Sequence, residues 1–113
     1  MKQELKDQWI AALRSGKYGQ GIGTMKTIRD NKFCCLGVLC DTMDSSKWKT
    51  DVYDDTIFYF FDDDEDGCDG YDGTVPSYIL PEWAMLKLID LNDKENLNFN
   101  QIADWIEEFV PVD

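Results

Sequence analysis

The chain has 113 residues, 43% of them hydrophobic and 13% aromatic, enough for one domain around a single core and too apolar for a disordered acidic tail. Its 11 basic and 23 acidic residues give a formal charge of −12, a field that repels nucleic acid and attracts basic surfaces. No apolar run approaches the roughly 20 residues of a bilayer span, and the charged start MKQELKDQWI lacks the apolar core of a secretory signal, so a reducing cytoplasm is expected, with no membrane partner.

Leu5, Trp9, Ala12 and Leu13 recur at helical spacing, and Gly16 can close that helix. The glycine-rich stretch GKYGQGIG follows. It lacks the Gly-Lys-Ser/Thr of a P-loop and the G-x-G-x-x-G of a dinucleotide fold, so it reads as an irregular loop. A strand is expected near TMKTIR, turned by Asp30-Asn31 toward KFCC.

Cys35, Leu36, Leu39, Cys40 and Met43 then fall on one helical face. Gly37, in the interior of that helix, costs about 1 kcal/mol against alanine and so predicts the close approach of another element. Zinc is the competing reading of Cys34, Cys35 and Cys40. Adjacent Cys34-Cys35 is no C-x2-C knuckle, Cys68 lies far off, and the chain has no histidine, so packed core thiols are expected. The same lack of histidine deprives a cysteine nucleophile of its usual base.

TIFYFF (56–61) predicts a strand buried on both faces. After the acidic segment 62–73, TVPSYIL is read as its returning partner, PEWAML as a short helix opened by Pro81, and LKLIDL as another strand or extended stretch. Asn98 and Gln101 have capping-box spacing, Phe99, Ile102, Ala103, Ile106 and Phe109 form an apolar stripe, and Pro111 ends this last helix. The expectation is a single α+β domain over residues 1–113, with a mainly antiparallel sheet and about three helices.

Two parts of the chain, LRSGKYGQGIGTM…KFCCLGVLCD and LPEWAMLKLIDLND…NFNQIADWIEE, resemble a family of small proteins common in tailed-bacteriophage genomes. The likeness covers most of 13–43 and 80–108, and FCCLGVLCD combined with LND and IADWIE carries it. It transfers no activity to any residue. It implies a phage-encoded protein acting in the host bacterial cytoplasm, a setting in which small acidic proteins often bind host proteins, defence nucleases among them.

Charge patterning suggests where such binding would occur. Residues 1–50 hold 9 Lys/Arg and 5 Asp/Glu, whereas residues 51–113 hold 2 and 18. Asp104, Glu107 and Glu108 sit at i, i+3 and i+4 near a helix C-terminus, where like charges repel one another and oppose the macrodipole, and no Lys or Arg lies within helical reach. A row of carboxylates there can stand in for DNA phosphates before a basic groove. Asp62, Asp64, Asp66 and Gly67 match the opening of a calcium loop, the one cofactor the spacing suggests, although Gly73 replaces its closing glutamate. Arg14, Lys17, Tyr18, Gln20 and Lys26 around the glycine-rich loop offer a different class, a site for a nucleotide or other phosphorylated small molecule. The leading expectation is a non-enzymatic, anti-defence DNA mimic bound to a host protein with a basic nucleic-acid-binding surface, with no direct contact to nucleic acid.

Overall fold

A computed structural model describes residues 1–27, 30–51, 56–59 and 75–113. The first helix, α1 (Gln3–Arg14), buries Trp9 and Leu13 as its apolar spacing requires and ends at Ser15, after which Gly16 takes a left-handed φ of 76°. The Trp9 ring is fully enclosed, and its indole N–H donates to the Cys35 carbonyl at 2.9 Å, which ties α1 to the helix that carries the cysteines.

The glycine-rich segment supplies β1 (Gly19–Gln20), paired in parallel with β2 (Lys32–Phe33) in the register Gly19↔Lys32 and Gln20↔Phe33. Among the described residues of TMKTIR, the expected strand is represented by one antiparallel bridge, Lys26↔Phe33. The Thr27 N–H donates to the Lys32 carbonyl at 2.8 Å, and Asn31 takes the left-handed turn position at φ 53°.

Helix α2 (Cys35–Met43) is buried at every residue from Cys35 to Cys40, the pattern of a helix enclosed on all sides. Gly37 admits the Met25 backbone so closely that a Cβ there would lie 1.8 Å from the Met25 carbonyl oxygen. The same carbonyl accepts the Cys34 N–H at 3.1 Å. The expected close approach at Gly37 is therefore met by the chain segment that the Lys26 bridge holds in place.

A 3-10 turn at Ser45–Lys47 leads into β3 (Trp48–Asp51), antiparallel to β4 (Thr56–Tyr59) from Trp48↔Tyr59 to Asp51↔Thr56. The partner of the aromatic strand thus precedes it. Residues 75–80 form a turn closed on the Pro76 carbonyl by the N–H groups of Ile79 and Leu80, 3.0 and 3.2 Å away. Among the described residues, two separate two-stranded pairings, one of them parallel, stand where a single mainly antiparallel sheet was expected.

Helix α3 (Glu82–Asp93) takes in both PEWAML and LKLIDL. Its buried residues Ala84, Met85, Leu88, Leu91 and Asn92 repeat with a helical period, so the strand expected over LKLIDL is corrected. Helix α4 (Phe99–Phe109) has the capping box in full, with Asn98 Oδ1 accepting the Gln101 N–H at 2.8 Å and Gln101 Oε1 accepting the Asn98 N–H at 2.9 Å. The architecture is α+β, with four α-helices among the described residues, and α1 lies against both α2 and α4.

Candidate functional site

The acids of α4 are built into the fold differently from one another. Arg14, at the end of α1, places Nη2 against Asp104 Oδ1 and, at 3.1 Å, against Glu107 Oε2. Hydrogen bonds to Glu107 and then Asp104 raise the guanidinium pKa further above its ordinary value. Lys6 buries its aliphatic stem and donates from Nζ to the Val110 carbonyl at 2.6 Å and the Glu107 carbonyl at 3.2 Å. Those carbonyls belong to the unsatisfied C-terminal end of α4, so an ammonium from α1 supplies the cap that α4 lacks within itself. The carboxylate row of α4 is thus split. Asp104 and Glu107 have a cationic partner from another helix, whereas Glu108 is exposed with no ion pair among the described residues.

Glu108 lies one turn from Trp105, beside an apolar surface that α3 and α4 build together. Trp83 is 53% exposed, Leu86 52% and Phe109 51%. The Trp83 and Trp105 rings meet edge to face across the two helices at 6.4 Å, and Trp105 lies 5.4 Å from Phe109. Phe109 was expected at the buried end of the α4 stripe; the other four stripe residues are buried, and Phe109 turns outward. Glu82, next to Trp83, is exposed and forms no ion pair among the described residues, and Lys87 engages Glu95 at 3.5 Å. The face is an aromatic platform, with Glu82 next to Trp83 in the chain and Glu108 one turn from Trp105, neither in an ion pair among the described residues. Trp83 and Trp105, which carry it, went unremarked in the sequence; the available signal was a large aromatic directly after an acid, Glu82 and Asp104, in each helix.

The residues expected around the glycine-rich loop do not converge on a ligand site. Arg14 is engaged with α4. Tyr18 donates its hydroxyl proton to Asp41 Oδ2 at 2.6 Å, and burial, then that carboxylate, pushes its pKa up to about 12. Gln20 Nε2 donates to Asn92 Oδ1 at 3.0 Å and to the Leu97 carbonyl at 2.7 Å. Lys26 Nζ sits 5.2 Å from the centre of the Phe33 ring and 5.1 Å from that of Trp48, a cation–π contact with two faces. Lys17 is exposed, and its N–H is accepted by Ser15 Oγ.

Asn92, missed in the sequence, explains why the loop is held. Buried to 1% exposure, it donates from Nδ2 to the Gly21 carbonyl at 2.9 Å and to Asp93 Oδ1 at 2.8 Å. Asp93 Oδ1 also accepts the Gly23 N–H at 3.2 Å. A pocket of about 120 Å³ beside this network is lined by Gly23, Cys34, Asn92 and Asp93, so its charged wall is an acid, the wrong sign for a phosphate.

Cys34, Cys35 and Cys40 are buried free thiols, as core packing predicts. Burial, the largest cause in each case, pushes the Cys34 thiol up to about 11 and those of Cys35 and Cys40 well above the ordinary value. The expected calcium ligands Asp62, Asp64 and Asp66 lie outside the described residues. Among the described residues no His, Cys, Asp and Glu side chains cluster as a metal site, and no helix is long and apolar enough to cross a membrane.

No curated protein and no solved structure matches the chain. Residues 1–87 match a family profile from the start of the chain into the middle of α3, and on that match the chain belongs to the family described as a domain of unknown function, DUF8296.

Proposed function

We propose that the protein is a non-enzymatic binding module that docks a partner protein on the α3–α4 face. The observation that carries this reading is the aromatic platform of Trp83, Leu86, Trp105 and Phe109, half-exposed at three of its four members and edged by Glu82 and Glu108. Exposed apolar patches rimmed by polar groups are where proteins bind, and tryptophan is enriched at the centres of such sites. The reading as a binder rather than an enzyme rests on a chain without histidine, whose described thiols burial holds protonated.

We propose further that the protein is phage-encoded and acts in the host bacterial cytoplasm, and that its partner is a host protein with a basic nucleic-acid-binding surface. Support comes from the resemblance in FCCLGVLCD and IADWIE and from a net charge of −12 weighted toward the second half of the chain. Phosphate mimicry by α4 alone draws less support, because Arg14 already pairs with two of its three carboxylates and offsets one of their charges. Occlusion of a basic surface by an acid-edged aromatic platform is the form of DNA mimicry this chain fits best.

The test is to capture host proteins with the native chain and with a Trp83→Ala/Phe109→Ala variant, then to purify the protein that only the native chain retains. Affinity for that protein should fall at least about tenfold in the variant, weaken as salt rises, and compete with duplex DNA. Equal affinity in native chain and variant would remove the platform from the interface. Simultaneous binding of DNA and this protein to the partner would end the mimicry reading.

A further inference from the structure

The docking face has a chemistry that selects one kind of side chain. Resting on the reading above, we infer that it recognises arginine: guanidinium groups of the partner stack on Trp83 and Trp105 while Glu108 and Glu82 accept their N–H donors.

Two arrangements within the chain are the precedent. On one side of α4, Arg14 already lies across the helix and is held by two carboxylates one turn apart, Asp104 and Glu107. Glu108, one turn beyond Trp105, is a further acid of α4, and among the described residues no cation of the chain pairs with it. The second precedent is Lys26, whose ammonium sits about equally close to the Phe33 and Trp48 rings in an otherwise separate aromatic cluster. Aromatic faces of this fold therefore do hold cations, and among the described residues the platform is an aromatic cluster without one. Stacking on indole combined with a forked carboxylate contact favours the planar guanidinium over the compact, strongly hydrated ammonium.

A second copy of the chain does not supply that cation. Its only arginines are Arg14, already paired, and Arg29, and two copies face to face would bring like charges together from molecules of −12 each. The occupant this face fits is an arginine-bearing segment of a different, basic protein.

The four tryptophans make the inference directly readable. In the isotope-labelled native chain at low salt, oligo-arginine, oligo-lysine and oligo-citrulline peptides of equal length are titrated while the indole N–H signals are followed. Oligo-arginine should shift the Trp83 and Trp105 signals and leave Trp9 and Trp48 in place, since Trp9 is enclosed against Cys35 and Trp48 donates to Asp41 at 3.0 Å. Arginine should bind at least about threefold tighter than lysine, as an exposed cation–π contact allows, and citrulline should not bind. Trp83→Leu keeps an apolar side chain at an exposed position and should abolish the preference for arginine, and Glu108→Gln should weaken arginine binding. Equal binding of arginine and lysine, or a preference that survives Trp83→Leu, would overturn the inference. If the captured host protein still needs Trp83 and Phe109 in that event, the docking face stands and only its arginine selectivity falls.

Discussion

Replacing Gly37 by alanine probes the close crossing of α2 and the Met25 segment. By intrinsic propensity alone the substitution should stabilise α2 by about 1 kcal/mol. The added Cβ, however, would stand 1.8 Å from the Met25 carbonyl oxygen and 2.7 Å from its carbon, both backbone atoms that cannot swing aside. The Met25 segment would have to retreat by more than an ångström, breaking the Cys34 N–H bond to that carbonyl and parting the buried side chains of Met25 and Phe33. Overpacking of this kind costs roughly 1–3 kcal/mol, and a buried N–H left without its acceptor a further 1–3. After the propensity gain, the net loss is about 1–5 kcal/mol, a large part of the roughly 5–15 kcal/mol a domain has. Urea unfolding should show a midpoint lower by about 1 M or more with an unchanged slope. Gly16→Ala is the control, because φ is 76° there but nothing lies within 4 Å; it should lose only about 1 kcal/mol. A Gly37→Ala protein as stable as the parent would mean that Met25 does not cross α2 in this way.

Lys6→Met keeps the buried stem but leaves two carbonyls at the end of α4 without their ammonium, and should cost about 2–3 kcal/mol in the same assay. Glu108→Gln should leave stability level or raise it, whereas Glu107→Gln and Asp104→Asn, which strip Arg14 of a partner, should lower it slightly and only at low salt. Alkali should destabilise the fold. The Cys34 thiol ionises near 9 when unfolded and near 11 when folded, so its contribution is full below pH 9 and is lost as pH rises toward 11; chemical denaturation between those limits should show the decline. At neutral pH the native thiols should resist a thiol reagent until the chain unfolds, and rapid modification of Cys35 and Cys40 in the folded protein would contradict their burial.

The parts of the fold legible in the sequence were those specified locally. The capping box and stripe of α4 and the stripe of α1 depend on residues a few positions apart. The close approach at Gly37 was legible from a glycine inside a helix, although Met25, which makes it, lies outside that helix. LKLIDL misled because a six-residue apolar alternation fits a strand as well as a helix, and only burial from Ala84 through Asn92 reveals the helical period. β3 was missed because WKTD has a single apolar side chain and becomes a strand only through pairing with β4. The candidate site was the least legible part. Arg14 reaches Asp104 across 90 positions and Lys6 reaches Val110 across 104, so the reading of an uncompensated carboxylate row held along the helix and failed in three dimensions. The platform was hidden for the same reason, since Trp83 and Trp105 meet only when α3 and α4 pack.

Hydroxyl-radical footprinting of the captured host protein's complex tests the docking face most directly, because it reads side-chain exposure residue by residue. The account predicts that oxidation of Trp83 and Phe109, both about half-exposed in the free chain, falls sharply on binding, while Tyr18 at the glycine-rich loop is unchanged. Unaltered oxidation of Trp83 and Phe109 together with protection of Tyr18 would contradict it and move the interface to the loop.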